Sequence, residues 1–155
     1  MTDFLSILEN GGSAVLPTET VYGLFARALD EAAVNRVYQL KGRPRDKAMN
    51  LNVASFEEVV VYSKDQPHYL KKLYDAFLPG PLTIILKAND KVPVWINSGL
   101  ATVGFRVPNH PVTLELVQQA GPLIGPSANL SGKPSGLFYD DIIADFAGQV
   151  SGYQD

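Results

Sequence analysis

The chain has 155 residues, 46% of them hydrophobic and 19% charged, and its net charge is −3. This length and composition are typical of one globular domain with a single core, and they exclude a largely disordered chain. The absence of cysteine excludes disulfides, thiol catalysis and cysteine-based zinc sites.

Membrane segments and metal clusters are not predicted either. No apolar run approaches the roughly 18 residues that a membrane-spanning helix needs, and no basic-then-apolar leader precedes the first predicted strand. The two histidines, His68 and His110, lie far apart, so any metal is expected to be a hard ion that arrives with a substrate. We therefore expect a cytoplasmic protein without membrane contact.

The first predicted elements lead into a loop rich in hydroxyl groups. Apolar spacing predicts a helix over residues 3–10, and a short apolar run predicts a buried strand over residues 14–16. Residues 17–24 follow directly and hold Glu19 between two threonines. Loops after strands in α/β sheets are favoured ligand sites, although the first threonine could instead cap a short helix.

A second strand is predicted over residues 25–29, and a helix capped by Asp30 then runs into a basic turn. This turn holds four of the 13 basic residues of the chain, which are Lys41, Arg43, Arg45 and Lys47. Arginine can hold phosphate or carboxylate with two parallel hydrogen bonds, so the turn is a candidate anion site. The alternative is a solvated basic loop at a helix C-terminus, where the helix dipole favours cations.

Two segments show the alternation of a half-buried strand. In residues 48–53 the two asparagines share the face opposite the apolar side chains. In residues 102–107 the same rule places Arg106 and Thr102 together on the polar face. A lone arginine on a strand is usually a surface residue, so this pattern alone does not assign a function.

Other elements complete an α/β pattern. A capping box at Ser55 and Glu58 predicts a helix over residues 56–61, and a longer helix is predicted to begin at Pro67. Residues 82–86 form a continuous apolar run, typical of a strand buried on both faces. The remaining predicted elements, with no strand after the last of them, are a helix over 111–120, a strand over 122–124 and a helix over 140–146.

Residues 125–136 form a loop rich in glycine, serine and proline. Its glycines allow close backbone approach and its polar side chains offer donors, as a phosphate or sugar cradle requires, although the Walker A spacing is missing. Short apolar strands alternate with amphipathic helices along the whole chain. We therefore predict a single α/β domain with a twisted, open, mixed sheet flanked by helices.

Five segments in order carry motifs of one known family. They are residues 17–24, 41–44, 79–83, 102–108 with 110–111, and 126–129 with 131–132. Together they resemble the threonylcarbamoyl-adenylate synthase family, whose shared domain is called YrdC-like. The resemblance implies a twisted α/β sheet with a concave, positively charged face. It also implies that residues 1–155 form a YrdC-like domain that lacks the usual C-terminal segment of the family.

The resemblance further implies an activity and its partners. Members of the family use L-threonine, bicarbonate and ATP, with Mg²⁺, to make threonylcarbamoyl-AMP and pyrophosphate. A partner transferase then places the group on tRNA as threonylcarbamoyladenosine (t6A). The implied enzyme is a nucleotidyltransferase, and such chemistry needs positioned cations and backbone donors more than it needs a nucleophile.

The family motifs imply roles for particular residues. The catalytic candidates are Lys41, Arg43, Ser127 and Asn129. The ATP-binding candidates are Arg43, Lys47, Thr102, Ser127 and Ser135. The threonine-binding candidates are Thr20, Asn52, Arg106 and Gly125. The chain departs from the family at Phe25, where glycine is usual, and at Asn52, where histidine is common.

Two other functions remain open on the sequence alone. One is a YrdC-like module without catalysis that binds tRNA or double-stranded RNA through the basic turn, although a dedicated RNA-binding domain is usually basic. The other is a carbamoyl-transfer domain related to hydrogenase maturation, which would share the fold and prefer carbamoyl phosphate.

Overall fold

The computed structural model describes residues 3–131, 139–146 and 149–154. The helices in this part of the chain are α1 (Phe4–Glu9), α2 (Glu31–Lys41), α3 (Phe56–Tyr62), α4 (Leu70–Phe77), α5 (Val94–Asn97), α6 (Pro111–Ala120) and α7 (Tyr139–Asp145). The strands are β1 (Ser13–Leu16), β2 (Gly23–Arg27), β3 (Leu51–Asn52), β4 (Ser63–Lys64), β5 (Gly80–Ala88), β6 (Thr102–Val107), β7 (Leu123–Ile124) and β8 (Ser151–Gly152).

All of these strands belong to one sheet with the order β4-β5-β6-β3-β7-β2-β1-β8. The pairs β3–β6 and β1–β8 are parallel, and the other pairs are antiparallel. The sheet is therefore open and mixed, with helices packed against it. This arrangement confirms the predicted fold class.

The two faces of the sheet are buried in different clusters. Val15 and Leu24 lie in the larger cluster, which also contains residues from β3, β5, β6 and α2. Leu16 and Phe25, which are their neighbours in β1 and β2, lie in a smaller cluster with residues of α1 and α6. Successive side chains of a strand point to opposite faces, so β1 and β2 are covered on both sides.

The smaller cluster covers only part of its face. Its buried members come from α1, β1, β2, α6 and β7, and none comes from β3, β5 or β6. On these three strands the same face carries polar or exposed residues, such as Asn52, Arg106 and Ile85, the last of which is 68% exposed. An uncovered area of sheet therefore lies beside a covered one, and polar groups line their boundary.

The local signals for α2 and α3 are confirmed. The Asp30 carboxylate accepts a hydrogen bond from the Ala33 N–H at 3.2 Å and caps α2. The N-cap of α3 is Ser55, whose hydroxyl accepts from the Glu58 N–H at 3.3 Å, while Glu58 Oε1 accepts from the Ala54 N–H at 3.1 Å. These interactions connect residues within four positions, which explains why the sequence alone predicts them.

Several predicted boundaries are wrong. Pro67 begins a turn that closes at Leu70, where the regular helix α4 starts. The run 82–86 is not buried on both faces, because none of the helices in the described ranges covers one face of β5, and β5 itself extends from Gly80 to Ala88. The strand expected over 48–53 pairs only at β3, and the second strand is β2, two residues earlier than predicted. A further strand, β8, follows the last predicted helix and pairs with β1.

Candidate active site

A cavity of about 220 Å³ opens at the uncovered face of the sheet. It lies where β3, β6 and the loop after β7 meet the basic turn that follows α2. Two arginines, two asparagines and one serine supply its polar side chains. The lining residues are Arg43, Ala48, Met49, Asn50, Asn52, Arg106, Gly125, Pro126 and Ser127.

Arg43 reaches the cavity from the turn after α2. Gly42 ends the helix with a left-handed φ of 64°, a conformation that glycine adopts without steric cost. The Arg43 side chain then donates from Nη2 to the Ala48 carbonyl at 2.9 Å and from Nε to the Lys47 carbonyl at 3.4 Å. Both partners are neutral carbonyl groups, so they do not offset the positive charge that the guanidinium carries beside the cavity.

Lys41 joins the end of α2 to the loop that carries Ser127. Its Nζ donates to the Ser127 carbonyl at 2.6 Å, to the Asn129 carbonyl at 2.6 Å and to Asn129 Oδ1 at 3.2 Å. The Ser127 hydroxyl in turn donates to Asn129 Oδ1 at 2.5 Å. Lys41 is 3% exposed and does not line the cavity, so its role in this geometry is to fix the position of Ser127.

The buried Lys41 ammonium should titrate near neutral pH. Burial, and to a smaller extent the positive charge of Arg43, lowers the pKa of Lys41 from 10.5 to about 8. Titration of ¹³C-labelled lysine by NMR should therefore show one Cε resonance with a midpoint near pH 8, and the midpoint should rise in Arg43→Met. A Lys41 midpoint at the ordinary value of 10.5 would contradict this assignment.

The same shift has a consequence for stability. Since the pKa of Lys41 is lower in the folded state, the unfolded state binds more protons between pH 8 and 10.5. The contribution of this group therefore makes the free energy of unfolding rise with pH over that interval. Above pH 8 the neutral amine also has one fewer N–H to donate, so the hold on Ser127 should weaken while global stability from this group increases.

Arg106 enters the cavity from β6 and contacts the loop between β1 and β2. Its Nη2 donates to Thr20 Oγ1 at 3.0 Å and lies 2.9 Å from Glu19 Oε1. The neighbouring strand β3 places Asn52 directly across from Arg106 in parallel register. Asn52 is buried and donates from Nδ2 to the Leu123 carbonyl at 3.3 Å, so its amide oxygen remains available to the cavity.

Gly125 allows the cavity wall to approach β2. A Cβ atom at Gly125 would lie 2.3 Å from a ring carbon of Phe25, and one at Gly23 would lie 2.6 Å from the same ring. Phe25 is 1% exposed, and its ring fills the space that side chains at both glycines would need. The backbone around Gly125 is thereby held close to the sheet, where Leu24 N–H donates to the Pro126 carbonyl at 2.8 Å.

The charges at the cavity favour an anionic ligand. Arg43 and Arg106 both line it, and none of the described residues that line it is a carboxylate. Guanidinium groups bind carboxylate and phosphate through paired N–H donors, and the Ser127 hydroxyl adds a further polar contact. Within the described residues, no group of three or more histidine, cysteine, aspartate or glutamate side chains could hold a metal ion.

The structure brings together most of the residues that the sequence singled out. Those that line the cavity are Arg43, Asn52, Arg106, Gly125 and Ser127. Those one hydrogen bond away are Lys41 and Asn129, next to Ser127, and Thr20, next to Arg106. Lys47 and Thr102 are exposed and do not line it, and Ser135 lies outside the described residues.

Sequence reasoning missed two polar residues of this region. Asn50 lines the cavity, and its Oδ1 occupies the space beside Gly104, where a Cβ atom would lie 2.3 Å away. The alternation in residues 48–53 placed Asn50 on the correct face but did not mark it as a site residue. Glu19 was noted only as one polar residue of its loop, and its contact with Arg106 joins positions too distant in sequence to predict.

None of the helices in the described ranges has the length and apolar character needed to cross a membrane.

The fold and the site define the class of this protein, an α/β domain with an open mixed sheet and a cationic cavity at its uncovered face. Within that class the chain belongs to the Sua5_yciO_yrdC family, whose model carries the description "Telomere recombination" and matches residues 6–155. The family predicted from the five sequence motifs is confirmed.

Relatives with assigned names support the same placement. The chain is 43% identical to the threonylcarbamoyl-AMP synthase of Pyrococcus abyssi over 144 residues, which are 92% of this chain and 42% of that protein. It is 38% identical to the threonylcarbamoyl-AMP synthase of Bacillus subtilis over 152 residues, or 97% of this chain and 44% of that protein. The chain therefore spans less than half the length of these relatives.

A solved structure matches the fold closely. The crystal structure of P. abyssi Sua5 complexed with L-threonine superposes with a TM-score of 0.91 at 41% sequence identity, covering 96% of this chain and 44% of that one.

Proposed function

We propose that the chain is the catalytic domain of a cytoplasmic L-threonylcarbamoyladenylate synthase, which makes threonylcarbamoyl-AMP and pyrophosphate from L-threonine, bicarbonate and ATP. The observation that carries the proposal is the convergence of Arg43, Arg106 and Ser127 on one cavity. A relative of 41% identity with the same fold has been crystallised with L-threonine, which supports an amino acid as one ligand.

The size of the cavity suggests how two substrates would share the site. At about 220 Å³ it is smaller than the roughly 300–1,000 Å³ pockets that enclose drug-sized ligands. Threonine would fit inside, with its carboxylate at Arg106 and its polar atoms near Asn52 and Thr20. The ATP phosphates would lie at the mouth, between Arg43 and Ser127, with Lys47, Thr102 and Ser135 as further contacts.

The chemistry requires positioning and charge neutralisation. The threonine amine captures carbon dioxide released from bicarbonate, and the resulting carbamate oxygen attacks the α-phosphorus of ATP. A new P–O bond forms as the bond to the β-phosphate breaks and pyrophosphate leaves. Arg43 would stabilise the charge that develops on the phosphoryl oxygens, while Lys41 and Asn129 hold Ser127 in place.

Magnesium would arrive with ATP. Since the described residues place no carboxylate in the cavity lining, the phosphates themselves would supply most of the metal ligands, and the ion would add to the charge neutralisation at the leaving group. The product is a reactive mixed anhydride, and we expect a partner transferase to consume it in the formation of t6A on tRNA.

Pyrophosphate release by the 155-residue chain tests the proposal. With ATP and Mg²⁺ present, release should require both threonine and bicarbonate, and omission of either should stop it. Release that continues without threonine would overturn the proposal, as would the absence of release together with salt-sensitive RNA binding. Release with carbamoyl phosphate in place of threonine and bicarbonate would instead support a carbamoyl-transfer domain.

A further inference from the structure

The two arginines of the cavity have different electrostatic partners. Among the described residues, the Arg43 side chain contacts only the carbonyl groups of Lys47 and Ala48, and neither partner carries a charge that offsets its own. Arg106 lies 2.9 Å from the Glu19 carboxylate, and the side chains of this pair are only 21% and 17% exposed. At such a distance and burial, screening by water is limited, and the carboxylate offsets much of the positive charge of Arg106.

Glu19 is held in this position by contacts of its own loop. The Thr113 hydroxyl donates to the Pro17 carbonyl at 2.5 Å in a buried contact, and Thr18 Oγ1 donates to the Val21 carbonyl at 2.6 Å. The Asn109 N–H points to Glu19 Oε2 at 3.4 Å. The loop is therefore held on both sides of Glu19, and its contacts position the Glu19 carboxylate against Arg106.

The ion pair leaves other N–H donors of Arg106 unused. Thr20 and Glu19 both contact Nη2, whereas Nε is buried and has no hydrogen-bond partner within the described residues. A buried, charged donor without a partner is unfavourable, so a ligand oxygen at Nε would be favoured. The unused donors of Arg106 suit a ligand group that accepts one or two N–H hydrogen bonds and carries a single negative charge.

We infer that Glu19 is a specificity-determining residue, which makes Arg106 accept the single negative charge of an amino-acid carboxylate and reject phosphate. Glu19 contacts Arg106 but is not among the residues that line the cavity, and its charge repels a dianion more strongly than a monoanion. Phosphate groups are then directed to Arg43, whose side chain contacts only neutral carbonyl groups in the described part of the chain. This inference rests on the proposed function, because it assumes that an amino acid and a nucleotide share the cavity.

Competition between threonine and inorganic phosphate tests the inference. Calorimetric titration of the wild-type chain with L-threonine should give nearly the same dissociation constant with and without millimolar phosphate. In Glu19→Gln, whose amide oxygen can still accept a hydrogen bond from Arg106, phosphate should raise the apparent dissociation constant for threonine by about 10-fold or more. In Glu19→Asp, which keeps the negative charge, phosphate should have little effect.

Controls separate a charge effect from a loss of structure. Glu115→Gln removes an exposed carboxylate from α6 and should behave as the wild type. Phosphate competition that is equally weak in the wild type and Glu19→Gln would overturn the inference, and so would equally strong competition in Glu19→Asp and Glu19→Gln. If the wild-type chain does not bind threonine at all, the proposed function itself fails, which is a different result.

Discussion

Replacing Arg43 with alanine should slow pyrophosphate release by about 100-fold or more, the effect expected when one preorganised donor is lost from a transition state. This corresponds to about 3 kcal/mol of transition-state stabilisation. Arg43 lines the cavity, and no carboxylate of the described residues pairs with it, so it is the group best placed to meet a developing phosphoryl charge. Initial rates at saturating threonine and ATP measure the effect.

Arg45 provides the matched control for this prediction. It belongs to the same basic turn, but its guanidinium lies over the Tyr38 ring at 5.0 Å from the centroid, and it does not line the cavity. Arg45→Ala should therefore release pyrophosphate at close to the wild-type rate. Equal decreases in the rate of pyrophosphate release in Arg43→Ala and Arg45→Ala would mean that the turn acts through its overall charge. An unchanged rate in Arg43→Ala would show that Arg43 does not act in the site.

Thermal unfolding of Arg43→Ala distinguishes the loss of a catalytic charge from a disturbed turn, because a disturbed turn would also lower the unfolding temperature. Arg43 donates to two carbonyls of its own turn, so alanine could alter the loop as well as remove the charge. Arg43→Lys keeps a cation but cannot form the paired N–H contacts of a guanidinium, so an intermediate rate is expected. A full rate in Arg43→Lys would indicate that charge alone is sufficient.

Local interactions made much of the fold predictable. The cap at Asp30, the glycine that ends α2 and the capping box of α3 all act within a few residues, so the sequence contains their complete signal. The elements that were predicted incorrectly depend on pairing between strands that are distant in sequence. β3 and β8 each have only two residues, and they are strands because β6 and β1 pair with them.

Burial on the second face of the sheet could not be predicted for a similar reason. Ile85 belongs to a continuous apolar run, and such a run is typical of a strand with both faces covered. Its 68% exposure follows from the limited extent of α1 and α6, which cover β1, β2 and β7 but not β5. The length and placement of two distant helices determine this exposure, and no pattern within β5 contains that information.

In the candidate site, too, local sequence motifs predict some features and long-range contacts determine the others. Motifs placed Arg43 and Ser127 in polar loops, and the structure brings both to one cavity. The partners that give each side chain its character lie far away in sequence, such as the contact of Arg106 with Glu19 and that of Lys41 with Asn129. Residue type therefore indicated where anions could bind, while tertiary contacts set charge balance and position.

Replacing Lys41 with methionine should destabilise the protein by about 3 kcal/mol and reduce pyrophosphate release strongly. Methionine keeps most of the side-chain volume but donates no hydrogen bond, so the carbonyls of Ser127 and Asn129 lose the Lys41 donor, while Asn129 Oδ1 keeps its hydrogen bond from the Ser127 hydroxyl. Each buried acceptor left without a partner costs about 1–3 kcal/mol, and removal of a buried charge offsets part of the sum. Denaturant unfolding gives the change in the free energy of unfolding.

Arg36→Met is the matched control, because Arg36 is an exposed cation on the same helix, and its loss should change stability by no more than about 0.5 kcal/mol.

The two possible roles of Lys41 predict different results. A lysine that contacts ATP phosphates would, when replaced, weaken ATP binding while the unfolding free energy stayed near the wild-type value or increased. Because the Lys41 Nζ already donates to three protein acceptors, we expect the opposite pattern, in which lost stability accompanies lost activity. A stable Lys41→Met variant with weakened ATP binding would instead indicate that Lys41 contacts the substrate directly.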